Sequence, residues 1–417
     1  MRVLLLGGGG REHAIGWKLA ASPHLEALLA APGNPGLGAV AEVVPSVPAD
    51  DVAAVVRLAE ERAVDLVVVG PEAPLAAGIG DALTDRGIAV FGPTASGARL
   101  ESSKAHAKEV MRRAGVATGE SVVVTDVAAA RKALAGFGPP YVVKADGLAA
   151  GKGVLVTDDP AAAEAWARDC IDGRFGEAGS VVVIEEHLAG GEVSVFAVCD
   201  GKRALPLQPA RDYKRLGDGD TGPNTGGMGC YSPVDDLPPD LVEHTMARVI
   251  GPVLATLAAA GTPYRGFLYA GLMLTTAGPK VLEFNCRLGD PETQVVLPRL
   301  EDDLLPLLAD AAAGRLAPGA LRWSDRAAVD VVLASSGYPG AVDDGHTITG
   351  LDRVGDDVLV FHAGTRADGD RLVTAGGRVL NLVGLGADLA ASRAAAYAAA
   401  ETVDFHGKQY RKDIADG

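Results

Sequence analysis

Long apolar runs are missing from this chain. None of 18 or more residues occurs in its 417 positions, which excludes a membrane-spanning helix. The first residues also lack the charged, apolar and small-residue order of a secretory signal, so the expected location is the cytoplasm. Positive charge is scarce: 38 Lys and Arg against 54 Asp and Glu leave a net charge of −16. Such a surface repels polyphosphate backbones, which argues against general nucleic-acid binding. An anionic small ligand would then need locally gathered cations or backbone donors. The four cysteines, Cys170, Cys199, Cys230 and Cys286, stand far apart with no C-x-x-C pair. That excludes a chelating or redox pair and predicts reduced, mostly buried thiols. Aromatics are only 5% and alanine is abundant, so helices should pack through small side chains.

Two nucleotide signatures are approached and missed. In "VVKADGLAAGKGVLV" Gly147 precedes Gly151-Lys152 by one residue too few for a P-loop, and Gly153 stands where a metal-binding hydroxyl belongs. The flanks are rich in β-branched residues, which predicts a glycine-rich hairpin between two strands. In "LLLGGGGREHAIGWKLA" Gly8 and Gly10 match a dinucleotide fingerprint but His13 occupies the third glycine position. Strand 2, ending in "LLAAPGNPG", lacks the acid that would grip an adenine ribose. The turn is then either purely structural or a phosphate site for something smaller, with Arg11, Glu12 and Asn34 beside it.

What is present points to several domains. Residues 1–101 alternate short apolar strands ending in Gly with helices, the pattern of a doubly wound parallel βαβ domain. Residues 102–313 change character. A helix capped by Ser102 or Ser103 leads into a lobe at about 116–190, which includes the flap 145–153, and a second lobe follows at about 191–313. Hairpin-connected strands there predict antiparallel sheet, interrupted by a polar, glycine-rich stretch at 211–230. Residues 314–417 form a small α+β domain.

The chemistry-bearing positions lie mostly in the middle region. Lys104 opens a helix and Lys144 ends a strand; together they fit either two solvated charges or a pair that neutralises phosphates. "VVVIEEHLAGGEVSVF" fits either an acidic loop or a connector offering backbone groups to an adenine, with Glu185, Glu186 and Glu192 near the bend. In "VLEFNCRLGDPETQ" Glu283, Asn285 and Arg287 fall at i, i+2 and i+4 and share one strand face. Carboxylate, amide and guanidinium together suit hard oxygen ligation of Mg²⁺ beside an anion-binding cation, or else a solvent-facing strand.

With these pieces in order, the chain resembles the ATP-grasp superfamily and, within it, the phosphoribosylamine–glycine ligase family. The resemblance is carried by "GGGGREHA", "APGNPG", "KADGLAAGKGV", "RDYKRLGDGDTGPNTGGMGCYSP" and "EFNCRLGDPETQ". It implies ATP-dependent joining of glycine to 5-phosphoribosylamine through glycyl phosphate, with Mg²⁺ or Mn²⁺, by a monomer. It further implies Glu283 and Asn285 as metal ligands, and Lys104, Lys144, Gly151, Glu185, Glu186, Leu188 and Glu192 around ATP. Arg287 would hold the glycine carboxylate and Asp212 its ammonium. Gly9, Gly10, Arg11, Glu12, Asn34, Thr225, Gly226 and Asp290 would bind substrate. "FLYAGLMLTT" lacks the second acidic metal ligand that many superfamily members carry, which puts the metal stoichiometry in doubt. Other ATP-grasp ligases, a non-catalytic ATP-binding module and a Rossmann oxidoreductase are the competing readings.

Overall fold

The computed structural model describes residues 1–148, 153–174, 176 and 180–416. The first strand, β1 (Arg2–Gly7), is buried from Val3 onward and pairs in parallel with β2 (Ala27–Pro32). Helix α1 (Gly10–Ala20) joins them. β3 (Glu42–Val43), α2 (Val52–Glu61), β4 (Leu66–Val69), α3 (Glu72–Ala76), α4 (Ile79–Asp85) and β5 (Ala89–Phe91) complete a parallel sheet of order β3-β2-β1-β4-β5. A strand feeding helices on both faces must be apolar on both. Leu4 and Leu6 accordingly enter one core layer, and Val3 and Leu5 the other. The carboxyl ends of β1 and β2 and the start of α1 meet at the glycine turn 7–10, the usual ligand edge of such a sheet.

Helices α5 (Ala95–Ser102) and α6 (Lys104–Ala114) carry the chain onward. The Ser103 hydroxyl accepts from the His106 amide at 3.1 Å and Asp146 accepts from the Ala105 amide at 2.6 Å, so Lys104 is fixed at the helix start. An antiparallel sheet of order β6-β9-β7-β8 follows, made of β6 (Ser121–Val124), β7 (Tyr141–Ala145), β8 (Val154–Thr157) and β9 (Val182–Glu185). It is covered by α7 (Val127–Phe137) and α8 (Pro160–Asp169). The β7–β8 pairing forms the expected hairpin, but residues 149–152 of its tip lie outside the described residues.

β10 (Gly191–Asp200) and β11 (Ala204–Pro206) begin a second antiparallel sheet. The 211–230 stretch then contains four short strands: β12 (Arg211–Asp212), β13 (Arg215–Gly217), β14 (Thr221–Asn224) and β15, which runs on to Ser232 (Gly229–Ser232). After α9 (Leu241–Thr245) and α10 (Gly251–Ala259), strands β16 (Arg265–Thr275) and β17 (Gly278–Asn285) close the order β11-β10-β16-β17. Two helices, α11 (Glu292–Val296) and α12 (Leu304–Ala312), lead to the C-terminal sheet. Its strands β18 (Ala327–Ala334), β19 (Val358–His362) and β22 (Arg378–Gly386) pair with β15 and β12 in the order β12-β15-β18-β22-β19. The hairpin of β20 (Thr365–Asp368) and β21 (Arg371–Thr374) and helix α13 (Leu389–Thr402) complete it. The C-terminal sheet thus reaches back 100 residues to take in both ends of the glycine-rich stretch.

Candidate active site

The glycine turn is held by its own helix. The Gly9 amide donates to Glu12 Oε2 at 2.7 Å, and Arg11 Nε donates to Glu12 Oε1 at 2.6 Å. Asn34 Nδ2 donates to the Gly8 carbonyl at 2.9 Å and to the His362 carbonyl at 2.8 Å, while its Oδ1 accepts from the Leu37 amide at 2.9 Å. The Arg11, Glu12 and Asn34 side chains, expected at a substrate, are therefore buried and bonded to the protein itself. Gly10 has no room for a side chain: a Cβ there would sit 2.3 Å from Asn381 Nδ2 and 2.7 Å from Gln294 Nε2. Gln294 in turn donates to Asp290 Oδ1 at 2.7 Å, which sets Asp290 beside the turn.

Asp290 links the turn to the glycine-rich lid. Arg378 of β22 donates to the Asp290 carbonyl and the Gly226 carbonyl, both at 2.6 Å, and pairs with Asp290 Oδ2 at 3.2 Å. The Gly226 amide donates to the Tyr338 hydroxyl at 2.8 Å, and the Thr225 hydroxyl donates to the Lys214 carbonyl at 2.8 Å. Neither Arg378 nor Tyr338 was anticipated from sequence; a lone Arg and a lone Tyr in a domain without motifs carry no local signal.

β17 carries Glu283 and, at its end, Asn285. Among the described residues neither the Glu283 carboxylate nor the Asn285 amide has a hydrogen-bond or ion-pair partner within the protein. Two unspent oxygen donors on one strand face fit Mg²⁺, which takes few protein ligands and keeps phosphate oxygens and water for the rest. No group of three or more His, Cys, Asp or Glu side chains able to hold a metal occurs among the described residues. Arg287, two residues on, is clamped: Nε donates to Glu72 Oε2 at 3.1 Å and Nη2 pairs with Glu101 Oε1 at 3.0 Å. Both acids come from outside the strand's own sheet and were missed in the sequence. Burial pushes the Glu72 carboxyl up, but Arg287 and Arg11 outweigh it and bring it down to about 2. Burial keeps Glu101 raised despite Arg287.

Lys104 and Lys144 stand at a junction where the start of α6 meets the end of β7, the Lys104 amide donating to the Asp146 carbonyl at 3.2 Å. Burial lowers Lys104, with Glu283 raising it and Lys144 lowering it. Lys104 Nζ donates to the Gly147 carbonyl at 3.2 Å. Lys144 is in an ion pair with Glu185, whose second oxygen pairs with Lys108 at 2.7 Å. Lys108, absent from the sequence expectations, lies one turn of α6 from Lys104. Burial raises Glu185, and Lys144 and Lys108 together bring it below the usual carboxylate range. Glu186 pairs with Lys280 at 3.1 Å and its amide donates to the Glu120 carbonyl at 2.8 Å; Leu188 is buried beyond it. Gly151 lies outside the described residues.

Glu192 and Asp212 are joined by one ammonium: Lys214 Nζ is 2.9 Å from Glu192 Oε2 and 2.8 Å from Asp212 Oδ1. The Asp212 side chain is 7% exposed, so its charge is held in a largely dry setting. The four cysteines are all buried and unpaired, as expected.

Three family profiles match in succession: phosphoribosylglycinamide synthetase N domain over residues 1–101, its ATP-grasp (A) domain over 102–293 and its C domain over 328–417. A phosphoribosylamine–glycine ligase of Streptomyces coelicolor is 54% identical, covering 100% of this chain and 99% of the relative. One of Mesorhizobium japonicum is 50% identical over 99% of this chain and 97% of its own. The crystal structure of phosphoribosylamine–glycine ligase from Thermotoga maritima superposes with a TM-score of 0.86 at 38% identity, over 99% of this chain and 100% of that one. A biotin carboxylase domain from Hydrogenobacter thermophilus, 18% identical with a TM-score of 0.74 over 100% of this chain and 95% of its own, shares the fold. From glycine turn to C-terminal sheet, this chain belongs to the phosphoribosylglycinamide synthetase family.

Proposed function

We propose that the cleft between the glycine turn, β17 and the 211–230 lid carries out the ATP-dependent ligation of glycine to 5-phosphoribosylamine, giving glycinamide ribonucleotide, ADP and phosphate. The observation that carries this reading is the run from Glu283 and Asn285, unspent on β17, through Arg287 to Asp290 at the glycine turn. One continuous segment thereby connects a nucleotide–metal site to a small-anion site.

A carboxylate is a poor electrophile and repels ATP, so its activation needs charge neutralisation in a closed, dry site. Lys104 and Lys144 supply two positive charges to the phosphates. Mg²⁺, or Mn²⁺ in its place, would be held by Glu283 and Asn285 and would supply the remaining positive charge. Arg287 holds the glycine carboxylate in line with the γ-phosphate. The clamp by Glu72 and Glu101 restricts the guanidinium plane before substrate arrives. Asp212 takes the glycine ammonium. Glu185, Glu186 and Leu188 frame the adenine, with Gly151 in the flap above and Glu192 at the ribose. Gly9, Gly10, Arg11, Glu12 and Asn34 shape the phosphoribosylamine site, Asp290 borders it, and Thr225 and Gly226 close over it.

Glycyl phosphate forms first; the amine of phosphoribosylamine then attacks its carbonyl and phosphate departs. The working unit in this reading is a monomer, with the cytoplasm as its compartment. ADP release tests the reading: it should require glycine and phosphoribosylamine together and match a glycinamide ribonucleotide mass. ADP release independent of glycine would refute it.

A further inference from the structure

Glu292, the first residue of α11, is only 4% exposed. Its carboxylate folds back over its own loop, which is possible because residue 289 is glycine: a Cβ there would lie 2.2 Å from Glu292 Oε2. A single hydroxyl contact reaches it, Ser194 Oγ at 3.2 Å, and that oxygen lies 2.8 Å from the Tyr269 hydroxyl. Tyr269 is the cross-strand partner of Asn285 on the metal strand. Among the described residues no Lys or Arg forms an ion pair with Glu292. A buried carboxylate without a paired cation is costly. The Ser194 backbone pairs with Ala210, two residues before Asp212, which brings Glu292 toward that carboxylate; burial and the Asp212 charge push Glu292 up to about 7, while Lys214 pulls it down. Burial also acts on Lys214, but Asp212 and Glu192 leave it raised well above its ordinary value. Two carboxylates, one on β12 and one at the start of α11, thus share the field of one ammonium, which is bonded to only one of the pair.

We propose that Glu292 is a second carboxylate of the glycine pocket: with Asp212 it clamps the substrate's ammonium, and Lys214 keeps that clamp occupied until glycine enters. The inference rests on the reading above that Asp212 faces the glycine amine. An ammonium has three N–H donors and is satisfied in a dry pocket only by several acceptors. The clamp also has a chemical purpose. Once glycine is an acyl phosphate, a free amine on it would be a nucleophile competing for other activated glycine. Held as an ammonium, it has no available electron pair. The amine of phosphoribosylamine then forms the only C–N bond, the C–O bond to phosphate breaks, and phosphate leaves with that electron pair and takes the proton shed by the new amide nitrogen.

Initial-rate kinetics with glycine and with glycolate, which offers the carboxylate without the ammonium, test the clamp. Glu292→Gln keeps the size and the serine contact but removes the charge. It should raise the glycine KM by roughly tenfold or more, the scale of one charge-assisted contact, with the ATP KM moving less than about twofold. The preference for glycine over glycolate in ADP formation should shrink, and Glu292→Asp should recover part of it. A glycine KM that stays put, or one that rises in step with the ATP KM at an unchanged preference, overturns the proposal. Asp212→Asn run alongside separates the two readings. If it alone raises the glycine KM, the pocket stands and the Glu292 clamp falls; if neither variant does, the glycine assignment falls with it. Should Glu292→Gln not fold, Glu292→Asp decides, since it draws the charge back by one methylene: a glycine KM and a glycine preference unchanged from the parent overturn the proposal.

Discussion

Arg378 Nη1 donates to the Gly226 carbonyl at 2.6 Å, across 152 residues of chain, and to the Asp290 carbonyl at the same distance. One guanidinium from the C-terminal sheet therefore fixes both the lid and the loop behind the glycine turn. Hydrogen bonds to a charged group contribute about 1.5–3 kcal/mol each, and their loss here would be felt in lid closure rather than in the core. Arg378→Met should lower kcat/KM for the amine substrate by roughly 10- to 100-fold, the equivalent of one such bond. Amide hydrogen exchange over 221–227 should quicken while that of β1 and β4 stays unchanged. Equal exchange in the lid of the variant and the parent would remove Arg378 from this role.

Arg287 is the cation between Glu72 and Glu101. A lysine keeps the charge but loses the planar fork that meets two acids and a substrate carboxylate together. Arg287→Lys should leave the ATP dissociation constant within about threefold while glycine-dependent turnover falls about 100-fold or more, as expected when a fork is replaced by a point charge. Isothermal titration with ATP and single-turnover ADP release read the two halves of this expectation; retained turnover would assign the glycine carboxylate to another cation.

The metal reading turns on Glu283. Replacing it by Gln leaves one neutral oxygen donor where an anionic one stood, and a hard divalent ion depends on that charge. Glu283→Gln should shift the Mg²⁺ concentration for half-maximal rate upward by roughly tenfold, with chelator removing all turnover and added Mg²⁺ restoring it. An unshifted Mg²⁺ curve would separate Glu283 from the metal.

The βαβ domain and the polar face of β17 were legible because each is a local pattern. "RVLLLG" ends in glycine before a helix, and Glu283, Asn285 and Arg287 share a face by strand period alone. The strands of the 211–230 stretch were not legible. "GDGDTGPNTGG" carries no strand propensity, and Cys230 and Tyr231 become strand by pairing with Asp212 and Arg211 on one side and Asp330 and Val329 on the other. β22 was likewise hidden, since Gly384 and Gly386 interrupt its apolar run. The partners that tune the site, Glu72 and Glu101 on Arg287, Lys108 on Glu185 and Arg378 on Asp290, are contacts between distant segments. No single-sequence spacing encodes them. The same holds for Arg11 and Asn34, which have the residue types of ligand contacts yet are spent on the protein.

The join between α1 and β19 carries a pH dependence of stability. His13 Nδ1 accepts from the His362 amide at 2.8 Å, so His13 must be the tautomer protonated at Nε2. Its protonation would set an N–H against that amide. Burial, with the neighbouring His362 second, pushes His13 down to about 3, and burial pushes His362 down to about 4. Both imidazoles are then neutral in the folded chain at pH values where the unfolded chain, with histidines near 6.5, already binds protons. The unfolded state gains protons first, so stability falls as pH drops below about 6.5 and continues to fall until the folded-state values are reached. At pH 5 the loss is about 2 kcal/mol for each imidazole. Thermal melting at pH 7.5 and pH 5 should show a clear fall in Tm, and His362→Gln, which removes one of the two buried imidazoles, should reduce that fall to roughly half. A variant whose Tm drops as far as the parent's between these pH values would place the acid sensitivity elsewhere. Because Asn34 ties the glycine turn to the His362 carbonyl at the same join, the first activity lost on acidification should be that of the phosphoribosylamine site, read as a rise in its KM before any loss of ATP binding.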